Sequence, residues 1–389
     1  MGMTTVGRPG LDLDRYRARL DEVMAARGAW PERSPWIREA VAALPRDRFA
    51  PALLWRWDGH RWAALDRAAD PDGWAGELYG DPDTAAITQL TGDLPTSSLS
   101  CQAVVADMAD CLLLEPGQRV LELGAGAGWN AALLAHHAGP GKVTSVEVDP
   151  RLAATAADRI RAAGLDVSVV TGDGDTGWPA GAPYERVIAT YAVERVPWAW
   201  VEQTAPGGRI VTPWGRLGHV ALTVADDGRS ASGWIQGLGQ FMATRTADPA
   251  AGGSPGPAAF AAVRSHHEPE HHGETDRDPA ALADWWRLGF AIRVALPDTA
   301  VTCATDADGT SAWLTDGRSS WATLSARPDG GAWVLEGGPR RLATELEDAW
   351  TQWERIGSPG VYDYGITVTA ASQYTWANDP HTGPRWPTP

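Results

Sequence analysis

Hydrophobic residues recur at helical spacing between residues 11 and 43, and the repeat is interrupted by Pro31 and Pro35. Because proline tends to end or start a helix, this pattern predicts two short helices, followed by the turn-rich segment LPRDRFAP. Residues 53–95 show little periodicity, whereas QAVVADMADCLLL, which begins at Gln102, restores a helical pattern. The sequence therefore predicts an N-terminal helical cap, with TSSLSC as a loop that leads into the Gln102 helix.

Three short apolar runs, RVLEL, KVTSVEV and DVSVV, follow the stop signal EPGQ and alternate with two alanine-rich helical stretches. Strands that are apolar on both faces belong in a parallel sheet that is covered by helices on each side. The pattern continues through ERVIAT, a helix near 198–204, the turn APGG and the strand RIVTPW, and HVALTVADDGRS predicts an antiparallel hairpin. We therefore expect an α/β fold with a doubly wound sheet.

The segment ADPAAGGSPGPAA is rich in proline, glycine and alanine and predicts a linker. Beyond it, strand-like pieces surround the helical segment RRLATELEDAWTQWERI, which indicates a small α+β domain. The predicted domains are the N-terminal cap with the substrate loop (1–100), the doubly wound cofactor-binding core (101–246), the linker (247–259) and the C-terminal α+β domain (260–389).

The charge and the hydropathy of the chain exclude several classes of partner. The 389 residues include 33 basic and 49 acidic side chains, a formal net charge of −16. Such an acidic chain is a poor general binder of phosphate backbones, so nucleic acid is not an expected partner. No apolar run approaches the roughly 18 residues that cross a bilayer, and the N-terminus shows no signal-peptide pattern. We expect a soluble, cytoplasmic protein without a membrane partner.

Cysteine and histidine patterns give no strong metal signal. Cys101, Cys111 and Cys303 fit neither a CxxC zinc pair nor a disulfide framework, so we expect reduced thiols. In HHEPEHH, His267 and His271 are four residues apart, a spacing that metal sites on helices use. Because no helical pattern surrounds this segment, a solvated loop is the preferred interpretation and no metal site is predicted.

Tryptophan is unusually frequent: 21 occur in the chain, six of them before residue 81 and ten after residue 230. Tryptophans anchor interfaces with extended partners, and they also fill the cores of small domains. The sequence leaves both interpretations of the tryptophan-rich flanks open.

The most informative segment is VLELGAGAGWN, in which a strand that carries Glu122 is followed by Gly124, Gly126 and Gly128 in a turn that leads into a helix. Glycine lets the backbone approach a ligand closely, and dinucleotide, flavin and S-adenosylmethionine enzymes all bind their ligand at such a turn. The dinucleotide pattern GxGxxG needs glycine at position 129, where Trp129 would obstruct a pyrophosphate.

Three acidic residues sharpen this prediction. Glu122 would repel a diphosphate but suits the ammonium group of a methionine moiety. Glu147 ends the second strand, 21 residues after Gly126, and can accept hydrogen bonds from both ribose hydroxyls. Asp173, which Gly174 follows, ends the third strand, where a carboxylate can meet an adenine amino group. Together these features favour S-adenosylmethionine as the cofactor over a dinucleotide.

Taken in order, these segments closely resemble the protein-L-isoaspartate O-methyltransferases. The motifs that carry the resemblance are VLELGAGAGWN, VEVDP, GDGDTGWP, APYERVIAT and PGGRIVTPW, with LPRDRFAP upstream and GQFMATR downstream, from about Leu44 to Arg245. The resemblance implies a Rossmann-like class I methyltransferase fold, S-adenosyl-L-methionine as the cofactor and a carboxylate of a peptide or protein as the acceptor.

The resemblance also implies where the acceptor binds. In the family, a loop that contains threonine and serine holds the substrate carboxylate, and the resemblance places Ser100 at the active-site serine, with Ser97 and Ser98 as residues that can share its role. The family usually has proline two residues later, where this chain has Gln102. An N-cap role for Ser100 is the alternative. Because a carboxylate is already ionised at neutral pH, transfer needs alignment and desolvation rather than a strong base.

The length of the chain suggests a subtype. Short repair enzymes of the family would end near residue 245, whereas PWAWVEQTAPGGRIVTPWG and WERIGSPGVYDYGITVTA resemble a longer set that modifies ribosomally made peptides. This resemblance implies methylation of an aspartate in a modified precursor peptide, as in graspetides and some lanthipeptides, after which the ester closes to an aspartimide. The C-terminal domain would recognise the peptide. Isoaspartate repair is the alternative within the family, and a non-catalytic peptide-binding scaffold is the alternative from another class.

Overall fold

The computed structural model describes residues 11–215, 218–244 and 257–388. The chain forms two compact units. The first unit comprises the chain up to Tyr191 together with Glu202–Val211, and the second comprises Ala192–Val201 together with the chain from Thr212. Within the described residues, every helix is too short or too polar to cross a membrane.

The chain as far as residue 214 forms seven helices and nine strands among its described residues. The helices are α1 (Leu13–Ala26), α2 (Trp36–Ala43), α3 (Pro71–Tyr79), α4 (Gln102–Cys111), α5 (Trp129–Ala138), α6 (Pro150–Ala162) and α7 (Trp198–Glu202). The strands are β1 (Leu53–Trp57), β2 (Trp62–Asp66), β3 (Ala86–Thr91), β4 (Leu94–Leu99), β5 (Val120–Leu123), β6 (Val143–Glu147), β7 (Val167–Thr171), β8 (Tyr184–Ala189) and β9 (Thr204–Trp214). The two predicted N-terminal helices are confirmed as α1 and α2.

An antiparallel sheet in the order β2-β1-β3-β4 follows the N-terminal helices. The pattern of the sequence did not predict this sheet, because aspartate, glycine and proline interrupt the alternation of residues 53–95. The predicted loop TSSLSC is therefore wrong in part: residues 96–99 belong to β4, which pairs with β3. Leu54, Ala86 and Leu99 are buried in a core that includes Trp129 of α5.

A parallel sheet in the order β7-β6-β5-β8-β9 confirms the predicted doubly wound fold. All four residues of β5 are buried, as expected for a central strand that is covered on both faces. The strand order reverses between β5 and β8. In open α/β sheets such a reversal opens a crevice at the carboxyl ends of the strands, where ligands bind. The glycine-rich turn that follows β5 lies at this place.

Helix α6 begins where the sequence indicates. Asp149 precedes the helix, and its side chain accepts hydrogen bonds from the backbone N–H groups of Arg151 (2.9 Å) and Leu152 (3.3 Å). Pro150 occupies the first helical position, where its missing N–H costs nothing. This cap holds the end of β6, and with it Glu147, at the crevice.

The rest of the described chain forms three helices and ten strands. They are β10 (Gly218–Val224), β11 (Ser230–Leu238), α8 (Pro257–His266), β12 (His271–Thr275), α9 (Leu288–Ala295), β13 (Ala300–Asp306), β14 (Gly309–Thr315), β15 (Trp321–Ala326), β16 (Ala332–Gly337), α10 (Leu342–Arg355), β17 (Tyr364–Thr369), β18 (Gln373–Ala377) and β19 (Arg385–Pro387). The strands form two antiparallel arrays, in the orders β10-β11-β17-β18-β19 and β12-β16-β15-β14-β13. Residues of α9 and α10 share a core with the second array.

The structure bears on several predictions about this region. The hairpin β10–β11 forms as predicted, and β11 also pairs with β17 through registers such as Ala231 opposite Val368. The APGG segment lies inside the bounds of β9, but it is a bulge: the pairing with β8 passes from Thr204 directly to Arg209, and Gly207 has a φ of +72°. Of the predicted linker, 247–256 lies outside the described residues, and Pro257 begins α8. The predicted domain limits stay a prediction.

The HHEPEHH segment is not one solvated loop. His266 ends helix α8, whereas His271 and His272 begin strand β12, which pairs with β16. His267 lies in the bend after α8 and His271 lies in β12, so their spacing of four residues does not place them on one helical face.

Candidate active site

The turn after β5 requires glycine for conformation and for space. Gly124, Gly126 and Gly128 have φ angles of +96°, +51° and +86°, which lie in the left-handed region. A Cβ atom on Gly124 would lie 2.4 Å from the Thr190 hydroxyl oxygen, which is too close. A Cβ atom on Gly126 would meet nothing closer than the Ser97 hydroxyl oxygen at 3.6 Å. The turn is therefore packed tightly at Gly124 and faces the acceptor segment at Gly126.

Glu147 lies beside this turn at the end of β6. One oxygen of its carboxylate accepts a hydrogen bond from the Gly126 N–H at 2.8 Å, and the other accepts one from the Asp149 N–H at 3.1 Å. Glu147 is only 5% exposed. A carboxylate oxygen can accept a second hydrogen bond, so this group remains able to receive ribose hydroxyls. The structure brings Glu147 and the glycine turn together, and a role for both in cofactor binding stays a prediction.

Glu122 lies deeper than the other predicted cofactor residues. It is 0% exposed, and its carboxylate accepts hydrogen bonds from the Asn130 side-chain amide (2.8 Å) and from the Ser145 hydroxyl. Burial raises the pKa of Glu122 from its ordinary value to about 7. The two carboxylate oxygens of Glu122 thus connect β5 to α5 through Asn130 and to β6 through Ser145. The geometry gives Glu122 a structural role, and a contact with a ligand ammonium group stays a prediction.

Asp173 and Gly174 lie at the end of the third parallel strand, β7. Asp173 begins a short helical turn, Gly174–Thr176, and its side chain accepts a hydrogen bond from the Asp175 N–H at 3.0 Å. The Tyr191 hydroxyl donates to the Asp175 carboxylate at 3.0 Å, and a Cβ atom on Gly174 would lie 2.3 Å from that hydroxyl oxygen. Burial raises the pKa of Tyr191, so its phenol is a neutral donor. Gly174 is therefore required for the approach of the tyrosine.

Two residues after β8 complete this side of the site and were missed from the sequence. The Thr190 hydroxyl donates to the carbonyl oxygens of Leu123 (3.2 Å) and Gly124 (2.7 Å), which holds the glycine turn in place. Tyr191 contacts the Asp175 turn. Their position in the sequence could have identified them. Thr190 and Tyr191 directly follow the strand ERVIA, at the place where a doubly wound sheet reverses its strand order.

The acceptor segment comprises Ser97, Ser98 and Ser100. Ser97 lies in β4, is 6% exposed and has its hydroxyl beside Gly126. Ser98 pairs with Ile87 in the same sheet, and Ser100 follows the end of the strand. Successive strand residues point to opposite faces, so Ser97 and Ser98 cannot both face the glycine turn in a regular strand. Of the three predicted serines, the structure places Ser97 next to the predicted cofactor loop.

The alternative role of Ser100 as a helix cap is not supported. Helix α4 begins at Gln102 and its cap position is Cys101, which leaves Ser100 one residue too early. Gln102 occupies the first helical position, where the family usually has proline. The N–H at this position needs no partner within the helix, so glutamine can replace proline without loss of a helical hydrogen bond.

The fold and the site define the class of the protein. The parallel sheet has the order β7-β6-β5-β8-β9. A glycine turn follows β5, the carboxylate of Glu147 lies at the end of β6, and that of Asp173 follows β7. This arrangement fits a nucleoside-containing cofactor. The glycine turn lies beside the acceptor segment, since a Cβ atom on Gly126 would lie 3.6 Å from the Ser97 hydroxyl oxygen, which fits group transfer from that cofactor. These are the features of a doubly wound methyltransferase.

Comparison with known proteins identifies the family. Residues 85–236 match the family model described as Protein-L-isoaspartate(D-aspartate) O-methyltransferase (PCMT). Protein-L-isoaspartate O-methyltransferase 2 of Anaeromyxobacter sp. (strain Fw109-5) is 34% identical over 212 residues, which are 54% of this chain and 73% of the relative. Protein-L-isoaspartate O-methyltransferase of Methylorubrum extorquens (strain PA1) is 34% identical over 222 residues, 56% of this chain and 82% of the relative.

A solved structure described as a protein-L-isoaspartate O-methyltransferase resembles the fold, with a TM-score of 0.53 at 20% sequence identity, and the match covers 93% of this chain and 100% of that one. The chain belongs to the protein-L-isoaspartate O-methyltransferase family. It is an S-adenosylmethionine-dependent carboxyl methyltransferase, which sets aside the non-catalytic scaffold.

Proposed function

We propose that this enzyme methylates the carboxylate of isoaspartyl residues in peptides or proteins. The observation that carries the proposal is the position of Ser97, whose hydroxyl lies beside Gly126 of the cofactor turn. The names of the relatives support isoaspartate as the acceptor and favour this function over peptide tailoring, the preferred interpretation of the sequence.

Residues at the carboxyl ends of the parallel strands would hold the cofactor. The Gly124–Gly128 turn leaves room for the ligand, Glu147 would accept the ribose hydroxyls, and Asp173 would meet the adenine. When bound there, S-adenosyl-L-methionine supplies an electrophilic methyl group. The chain's own carboxylates around the crevice would orient the cofactor by accepting hydrogen bonds from its ribose hydroxyls and its adenine amino group, and they need not act as bases.

The acceptor segment needs only to orient and to desolvate the incoming carboxylate. A carboxyl group has an ordinary pKa near 4 and is ionised at neutral pH, so no residue has to remove a proton from it. Ser97 and Ser100 can donate hydrogen bonds to one acceptor oxygen and leave the other directed at the cofactor turn. Alignment of this kind accounts for large rate effects in transfer reactions.

The direct test is methyl transfer from labelled S-adenosylmethionine to a short isoaspartyl peptide, compared with its aspartyl twin. We expect turnover on the isoaspartyl peptide alone, and loss of turnover in Glu147→Ala together with loss of cofactor binding. Cofactor binding without turnover on either linear peptide would contradict the proposal.

A second candidate is methylation of an aspartate in a ribosomally made, ATP-grasp-cyclised precursor peptide of the graspetide type, with closure to an aspartimide. The family model ends at residue 236, and the second unit exposes Trp286 (50%) and Tyr362 (59%), whose ring centroids lie 5.8 Å apart. Such aromatic side chains suit peptide recognition. The C-terminal residues alone do not distinguish the two candidates, because the solved structure described above also matches 93% of this chain.

Mass spectrometry separates the candidates. With a cyclised precursor peptide, the second candidate requires the addition of one methyl group at aspartate, followed by loss of methanol as the aspartimide closes. If methylation is restricted to the isoaspartyl peptide, the second candidate is wrong. A cytoplasmic location for either activity stays a prediction.

A further inference from the structure

A buried arginine lies behind the acceptor segment. Arg46 comes from the LPRDRFAP segment, lies on the short helical turn Arg46–Arg48 and is 1% exposed. Its Nη2 atom donates hydrogen bonds to the carbonyl oxygens of Leu99 (3.0 Å) and Ser100 (2.9 Å). These carbonyls belong to the two peptide planes that flank the Cα atom of Ser100. One guanidinium therefore holds the backbone on both sides of the predicted active-site serine.

The same guanidinium also contacts the helix that follows the glycine turn. Its central carbon lies 5.2 Å from the ring centroid of Trp129, the first residue of α5. The Trp129 indole N–H in turn donates to the Leu44 carbonyl oxygen at 2.8 Å, two residues before Arg46. Arg46 thus joins the acceptor segment to the start of the cofactor helix, and Trp129 is held in the orientation that this contact needs.

The charge of Arg46 has no carboxylate partner among the residues that the structure describes. Its Nε and Nη1 atoms are buried and make no hydrogen bond. The adjacent carboxylate of Asp47 is engaged by Arg17, at 2.9 and 2.8 Å, and by the Tyr79 hydroxyl. Burial raises the pKa values of the nearby Cys101 thiol and Tyr79 phenol, so neither supplies an anion at neutral pH.

Burial lowers the pKa of Arg46 to about 10, and the group therefore remains protonated at neutral pH. A buried cation without a counter-ion is costly. The acceptor of the proposed reaction is itself an anion that must bind in front of this segment. Its carboxylate would provide the missing negative charge.

We propose that Arg46 is the positioning residue of the acceptor site: it holds the peptide planes around Ser100 and favours acceptors that carry a carboxylate. The inference rests on the proposed function for the nature of the acceptor, whereas the hold on the backbone is independent of it.

The test compares Arg46→Lys and Arg46→Met with a matched control, Arg186→Met. Arg186 is half-buried in β8, and its Nε and Nη2 atoms both donate to the Leu113 carbonyl oxygen, so it also holds a backbone carbonyl. For each full-length variant, cofactor affinity, kcat and KM for the isoaspartyl peptide would be measured, together with hydrogen exchange of the amides in residues 97–101.

Lysine keeps the charge but cannot contact both carbonyls in the fork geometry of arginine. We therefore expect Arg46→Lys to lower kcat about 10-fold with little change in KM, and Arg46→Met to raise KM about 10-fold as well. Cofactor affinity should remain that of the wild type in both, and Arg186→Met should change neither constant. Equal effects in Arg186→Met, or a parallel loss of cofactor affinity, would overturn the proposal.

Hydrogen exchange separates this proposal from the proposed function. If the wild-type enzyme does not methylate the isoaspartyl peptide, the proposed function fails. Exchange in residues 97–101 that is about 10-fold faster in Arg46→Met, but not in Arg186→Met, would still support the positioning role. Unchanged exchange in this segment would overturn it. If Arg46→Met does not fold, Arg46→Lys provides the same readout with the charge retained.

Discussion

The cofactor side and the acceptor side of the first unit are built in different ways. On the cofactor side, each functional group ends a strand, and the next element begins within a few residues, as with Gly126 after β5 and Glu147 at the end of β6. On the acceptor side, Arg46 and Ser100 come from distant parts of the chain and meet only in the folded molecule. Candidate residues for the cofactor side can therefore be chosen from local sequence, whereas the acceptor side depends on contacts between distant segments.

The largest effect should come from Gly124→Ala. Gly124 has a φ of +96°, in the left-handed region that alanine rarely adopts. The added methyl carbon would also lie 2.4 Å from the Thr190 hydroxyl oxygen, so the turn must shift. We expect kcat/KM to fall about 1000-fold, because under the proposed function this turn holds the cofactor and a small displacement is costly in transfer reactions. Labelled methyl transfer and cofactor titration measure the effect.

Gly117→Ala is the matched control for this prediction. Gly117 has a similar φ of +87°, but an added Cβ atom would meet nothing within 4 Å. In Gly117→Ala only the backbone strain remains, and we expect it to lower the free energy of unfolding by about 1 kcal/mol, as measured by thermal unfolding. If Gly117→Ala and Gly124→Ala lose activity equally, the difference in packing is not the cause.

The pH dependence of stability tests whether Glu122 has a structural role or contacts the ligand. Burial raises the pKa of Glu122 from 4.5 to about 7, so between these values the folded state holds a proton that the unfolded state has lost. The contribution of Glu122 to stability therefore falls as the pH rises from 4.5 to 7, by about 3 kcal/mol.

The change that tests this sign is Glu122→Gln. Glutamine stays neutral, so we expect the variant to gain up to about 3 kcal/mol over the wild type at pH 8 and little at pH 5. Denaturant unfolding at both pH values measures the gain, with exposed Asp158→Asn as the control. A strong loss of cofactor affinity in Glu122→Gln would instead indicate a ligand contact.

Glu147→Gln should weaken cofactor binding without removing it. The amide keeps one acceptor oxygen but loses the negative charge that strengthens hydrogen bonds from ribose hydroxyls. We expect the Kd for S-adenosylmethionine to rise about 30-fold in calorimetric titration. The exposed Glu115→Gln variant serves as the control. An unchanged Kd would show that the cofactor does not approach the end of β6.

The smallest effect should come from the acceptor side in Ser97→Ala. Loss of one hydroxyl beside Gly126 should lower kcat about 10-fold and leave cofactor affinity unchanged, because the proposed role of Ser97 is to orient the acceptor only. Ser168→Ala, at an exposed position of β7, is the control. Should Ser100→Ala reduce kcat much more than Ser97→Ala, Ser100 would be the principal contact, as the family resemblance implies.

Local pattern explains most of the successful predictions. The runs RVLEL, KVTSVEV and DVSVV form β5, β6 and β7, and the Asp149–Pro150 pair begins α6, because burial, capping and backbone restriction act within a few residues. The sheet that contains β4 was missed because its strands alternate poorly and contain bulges, and their pairing depends on distant partners.

The sequence by itself determined the doubly wound core, its glycine turn and the carboxylates that follow the strands, since each of these arises from a contiguous segment. Only the tertiary structure decided that Glu122 is enclosed between Asn130 and Ser145, that Ser97 faces Gly126, and that Arg46 holds the backbone around Ser100. These outcomes depend on burial and on contacts between residues far apart in the chain, which no local pattern encodes.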